Sequence, residues 1–122
     1  MSSAQMETAP TRESAAGLSF ALLLYSAGGC WLGRSVLTGH VSEGKDRESA
    51  LQGLVEAVDA SMYAAGQMGQ GRTEWYRAQR PDETRFLRMF ATAVTRRHPE
   101  HSVVRTPSGY AIELSVATLD AG

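Results

Sequence analysis

Few residues in this chain stand where catalysis would need them. His98 and His101 lie three apart, a spacing at which two imidazoles can share a helical face and a metal ion. Pro99 breaks a helix between them, and no third ligand accompanies the pair, so they read as loop histidines. His40 reads as a packed strand residue. Cys30 is the only cysteine, which leaves no internal disulfide, and it sits in an apolar stretch where a thiol is inert. There is no Gly-x-Ser-x-Gly elbow and no phosphate-binding glycine loop. Gly66, Gly69 and Gly71 follow a helical stretch instead of opening one, and read as its end. The chain therefore offers no catalytic residue, no metal ligand set and no cofactor site, and it is expected to be non-catalytic.

What remains is recognition. The chain has 122 residues, 12 basic and 13 acidic, for a net charge of −1, and all but one of the basic residues are arginine. The charge is uneven: residues 1–71 are net −3, residues 72–105 net +4 and the remainder net −2. A near-neutral whole excludes wholesale coating of nucleic acid, whereas a local basic segment suits a phosphate-bearing or acidic partner. Within that segment Arg85, Arg88 and Arg96 fall on one helical face with Arg97 adjacent. These four arginines are the candidate nucleic-acid or partner surface, against the plainer reading of a solvated helix face. Trp75, beside Tyr76 and Arg77, fits either a base-stacking or partner anchor or a strand residue in the core.

The elements that must position these residues follow from hydrophobic period and turn chemistry. Residues 1–16 have no period and read as a disordered tail, which leaves 17–122 as a single α+β domain. Gly17 to Gly33 is the one long apolar run. It is too short and too broken by glycine to span a membrane, and no basic stretch precedes it as in an export signal. It reads as buried strands of a cytoplasmic protein with no membrane contact. Leu18–Tyr25 is a first strand, Ala27–Gly29 a turn, Cys30–Leu37 a second strand with Gly33 as a bulge or close approach, and His40–Glu43 a third. These three form an antiparallel meander. Asp46 caps a helix whose Leu51, Leu54, Val55, Val58, Met62 and Ala65 make one apolar stripe. Thr73–Tyr76 is read as a fourth strand. A second helix opens near Pro81 and Asp82, buries Phe86, Leu87, Phe90 and Val94, and stops before Pro99. Ser102–Arg105 and Tyr110–Thr118 form a C-terminal hairpin. Leu54 and Phe90 are the expected centres of the two helix stripes. Tyr110, Ile112, Leu114 and Val116 share one strand face, which must find cover from the second helix or a second chain. A homodimer or larger homo-oligomer is expected on that ground and on that of exposed sheet edges.

Leu37, Gly39, Val41, Ser42, Glu43 and Gly44, followed by Glu48, Ala50, Leu51, Glu56 and Ala57, resemble the N-terminal domain of HicB-like antitoxins. That resemblance implies a reduced ribonuclease-H-like fold and an inhibitor that covers a small toxin ribonuclease with its three-strand face and first helix, and dimerises on operator DNA. The family's C-terminal DNA-binding segment is not visible after residue 72. Ribonuclease-H enzymes place carboxylates on the first strand, first helix and fourth strand to hold two metal ions. Here Glu48, Glu56, Glu74 and Asp82 are available, but the first strand offers Tyr25, Ser26 and Ala27 and no acid. A metal-dependent nuclease is thus the less favoured reading, and a structural or regulatory protein without nucleic acid the third. Leu54–Arg72 is also similar to the closing helix of GGDEF diguanylate-cyclase domains, through Asp59, Met62, Tyr63, Ala65, Gly69 and Arg72. The GGDEF signature itself is absent, so no cyclase is implied. The reading adopted is an antitoxin-like inhibitor or regulator acting through a protein partner, and through nucleic acid where the arginine face engages it.

Overall fold

The computed structural model describes residues 13–14 and 17–120; most of the expected N-terminal tail lies outside the described residues. Within that tail, β1 (Glu13–Ser14) pairs antiparallel with the start of β2 (Gly17–Ala27). β2 is the centre of a mixed sheet. It pairs antiparallel with β3 (Cys30–Ser35), which pairs antiparallel with β4 (Val41–Gly44). On its other side it pairs in parallel with β6 (Ala111–Leu119), and β5 (Glu100–Arg105) closes that edge antiparallel to β6, giving the order β4-β3-β2-β6-β5. A strand buried on both faces must be apolar at successive positions, and this accounts for the run Leu22, Leu23 and Leu24, none more than 1% exposed.

α1 (Arg47–Gln67) covers one face of the sheet. Asp46 accepts the Ser49 N–H at 2.8 Å, satisfying a first-turn amide. Of the expected stripe, Leu54, Val58 and Met62 are buried, joined by Ala50, against Leu18, Phe20, Leu22, Leu24, Ile112, Leu114 and Val116, while Leu51, Val55 and Ala65 are half-buried at its margins. At the far end Gly69 takes φ +88° as the amides of Met68, Gly69 and Gln70 fold back onto the last turn. The opposite face is covered by α3 (Thr84–Arg96), whose Phe86 and Ala93 pack on Leu23, Val36 and Ala117.

Three expectations are corrected. Thr73–Tyr76 is not a strand but the body of α2 (Arg72–Ala78), started by Gly71, whose carbonyl accepts the Trp75 N–H. Alternation along a strand would send Trp75 and Tyr76 to opposite sides, whereas from α2 both rings pack against Phe20. The strand order also differs from three strands, strand and hairpin in succession, because the last strand of the chain lies beside β2. Finally, Ile112, Leu114 and Val116 find their cover within the chain, under α1, so that face does not require a second copy.

Gly33 and Gly44 explain how α1 lies so close to the sheet. A methyl group on Gly44 would stand 2.5 Å from the Ala50 nitrogen and 2.8 Å from the Ser49 carbonyl carbon, both backbone atoms. One on Gly33 would meet the Ser42 hydroxyl at 2.6 Å, and that hydroxyl donates to the Ala50 carbonyl. Gly44→Ala is therefore expected to lower stability by about 1–3 kcal/mol through overpacking, read as a fall in thermal midpoint. An unchanged midpoint would show that the first turn of α1 does not rest there.

Candidate functional site

α3 covers only part of its side of the sheet. Alternation along a strand sends Ser19, Ala21, Leu23 and Tyr25 of β2 to that side. Of these, Leu23 and Tyr25 pack toward Phe86 and its neighbours. Ahead of them the sheet is open, and a groove of about 640 Å³ lies over it. Its floor is three strands wide: Ser19 and Ala21 of β2, Glu113 and Ser115 of β6, His101 and Val103 of β5. Leu37 and Tyr76 line it as well, and a second hollow continues past them to Arg77, Gln79 and Pro81.

Beside the groove, β3 stops short. After Ser35 the chain leaves the sheet, and β1 meets β2 only at Gly17 and Leu18. Backbone carbonyls of β2 in that gap must be satisfied by other donors. The Tyr76 hydroxyl donates to the Ser19 carbonyl at 2.6 Å and the Val36 N–H to the Ala21 carbonyl at 3.0 Å. The departing loop is held by Ser35, which is fully buried: its N–H donates to the His40 carbonyl and its hydroxyl accepts from Thr38 at 2.6 Å. Burial of the His40 ring lowers its pKa from the usual value, and Nδ1 lies 2.7 Å from the Thr38 hydroxyl. The carboxylate on the floor is Glu113, which accepts the Ser19 hydroxyl at 2.8 Å. A recess of this size that sets Ala21, Val103 and Leu37 beside one acid, one imidazole and a few hydroxyls has the make-up of a recognition site. Leu37, Tyr76 and His101 were named in the sequence for other roles, and Ser19, Ala21, Val103, Glu113 and Ser115 were not. The one signal among the latter is Glu113, the single charge in β6.

The arginines expected to form a surface do so in part. Arg85, Arg88 and Arg96 of α3 are exposed, whereas Phe86 and Ala93 are buried. Arg85 is engaged by Glu83 at 3.2 Å and lies 4.5 Å from the Phe86 ring centre. Arg97 is exposed just past the last turn. Trp75 does not join them. It is 3% exposed on the α1 side of the sheet, and its indole N–H donates to the Ser61 hydroxyl at 3.0 Å. The three-strand face and first helix named by the HicB-like resemblance pack on one another through the apolar stripe of α1, so that face of the sheet is closed.

Three of the four acids of the nuclease reading are engaged, each with a different partner. Glu48 contacts Arg47, Glu56 accepts from Gln52, and Asp82 holds Arg34 at 2.6 and 3.1 Å. Glu74 is in the first turn of α2. Among the described residues, no three His, Cys, Asp or Glu side chains are grouped to hold a metal ion. Cys30 donates weakly to the Ala27 carbonyl at 3.3 Å, and its thiol pKa is pushed up by desolvation and by neighbouring Glu43. Among the described residues no helix is long and apolar enough to cross a membrane. No protein-family model, curated protein or solved structure matches the chain.

Proposed function

We propose that the chain is a non-catalytic binding protein of the cytoplasm, an antitoxin-like inhibitor or regulator that receives an apolar segment of a protein partner in the groove. The observation that carries this reading is the open part of the sheet face, where α3 stops and β2, β6 and β5 leave a floor of Ala21 and Val103 among Ser19, Ser115, His101 and Glu113, with Leu37 and Tyr76 beside it. An apolar anchor entering it would be desolvated, and a basic group beside that anchor would meet the carboxylate. The HicB-like resemblance gives the partner its most concrete form, a short basic toxin encoded next to this chain. In the test, that neighbour is expressed alone and together with the chain. Growth arrest relieved by the wild-type chain, but not by Ala21→Arg, supports the reading. Arrest that persists with the wild-type chain, or relief by both forms, overturns the groove as the inhibitory surface.

The outer face of α3 favours a second contact, with nucleic acid. Arg88 and Arg96 form no ion pair among the described residues and are free to meet phosphates. Each such contact adds about 0.9 to the slope of log affinity against log salt on duplex DNA. Arg88→Glu with Arg96→Glu is expected to reduce that slope by about 2, measured by anisotropy of a labelled duplex. No binding by the wild-type chain at low salt removes this reading.

A further inference from the structure

β5 is an outer strand with five of its six residues exposed, and Val103 among them is 61% exposed. The adjoining turn reveals which of its backbone groups face outward. The Thr106 N–H donates to the Tyr110 carbonyl at 2.8 Å and the Gly109 N–H to the Thr106 carbonyl, with Gly109 at φ +96°. Thr106 and Tyr110 are thus a hydrogen-bonded pair. Bonded and non-bonded pairs alternate along an antiparallel ladder, so Val104–Ile112 and Ser102–Leu114 exchange hydrogen bonds, in the register observed. His101, Val103 and Arg105 occupy the intervening positions and aim both N–H and C=O away from β6.

We propose that a second copy of this chain adds to that edge, antiparallel, about a twofold axis normal to the sheet that passes between the two strands at Val103. Such an axis keeps the α1 sides of both sheets together and pairs only residues of like parity, hence outward groups with outward groups. Centred on Val103, it pairs Val103 with itself and His101 with the partner's Arg105 at both ends, giving about six hydrogen bonds. Centring one residue either way brings Pro99 or Pro107 into the ladder, neither of which can donate, so every pair that contains one loses a hydrogen bond. The donor-bearing outward positions, His101, Val103 and Arg105, lie symmetrically between Pro99 and Pro107, so a copy of the same strand matches them end to end, while Glu100 stays on the α1 side with its own Arg47 at 2.7 Å. Val103 lines the groove, so the exposed valines meet at the axis on the groove side and the two grooves become neighbours. This proposal concerns the edge alone and does not depend on what the groove holds.

The full chain is weighed by light scattering and sedimentation at about 100 µM, a concentration suited to the weak end of small interfaces. The expected mass is twice 13.2 kDa. Val103→Pro removes only an outward N–H, so the bonds to β6 remain while the central pair of the dimer is lost. Val103→Lys sets like charges face to face at the axis. Both variants are expected to weigh 13.2 kDa with unchanged circular dichroism. A monomeric wild-type chain overturns the second copy as occupant and leaves the edge to a strand of another protein. A wild-type dimer that survives both substitutions overturns the proposed axis.

Discussion

Phe20→Ala and Leu54→Ala are expected to lower stability by about 3–5 and 2–5 kcal/mol respectively, a large share of the roughly 5–15 kcal/mol a domain of this kind possesses. Phe20 is 2% exposed, packed edge-on against Tyr76 with ring centres 5.4 Å apart and beside Trp75 at 6.2 Å. Leu54 is fully buried at the middle of α1, and its Cδ2 closes on the position a side chain at Gly33 would occupy. Each truncation empties space walled by the central strand, which cannot move because it is hydrogen bonded on both sides. On α3 the burden falls differently from the expectation that Phe90 is the centre. Phe86 is 4% exposed, while Phe90 is only half-buried at the margin of the same cluster. Phe86→Ala is expected to cost more than Phe90→Ala. Urea unfolding of the four variants measures this, and a Leu54→Ala curve superposing on wild type would refute the packing of α1.

Asp82 should make the fold acid-labile. Its carboxylate, 6% exposed, grips Arg34 through two hydrogen bonds and accepts the Glu83 N–H at 2.8 Å. Burial alone would push its pKa up. The hydrogen bonds from Arg34 and Glu83, with the charges of Arg34 and Arg85, outweigh that and hold the carboxyl below its usual value. Arg34 in turn lies 3.5 Å over the Phe86 ring, tying β3 to α3. Because the folded pKa lies below the unfolded one, the stability this contributes is complete above the unfolded value, about pH 4, and is lost as pH falls through the folded value. Exposed Asp46, lowered mainly by the Ser49 backbone N–H, acts in the same direction. His40 adds an earlier loss. Its folded pKa is lowered by burial, so the unfolded chain takes up the proton first, from about pH 6.5 downward. Asp82→Asn is expected to cost about 1–3 kcal/mol at pH 7, below the fully buried limit because Arg34 is partly open to solvent. It should also flatten the stability profile below pH 4. A profile unchanged in that range would remove the ion pair from the account.

The local elements were legible because their causes are local. Gly28 and Gly29, both at positive φ, turn β2 into β3 with residue types that mark a turn in any context. Asp46 caps α1 with its own side chain. The period of Leu54, Val58 and Met62 faces inward whichever sheet receives it, because a stripe 3.6 residues in period has only one buried side. Segregation of arginine into residues 72–105 likewise produced an exposed basic face on α3 without help from the tertiary fold.

What the chain's order could not reveal is which element lies beside which. Ser19 and Glu113 are 94 residues apart, and alternation tells which side of β6 is apolar but not that β2 is its neighbour, since any strand presents the same backbone groups. Once β6 is seated in parallel beside β2, α1 covers Ile112, Leu114 and Val116 and the ground for a second chain at that face is gone. The fate of Trp75 turned on the same kind of fact: a seven-residue segment has too little intrinsic preference to resist packing, and contact with Phe20 made it helical and buried it. The groove depended on tertiary structure most of all. It is a difference between two lengths, the reach of α3 and the longer β2–β6–β5 surface beneath it, and no residue's own chemistry encodes such a difference.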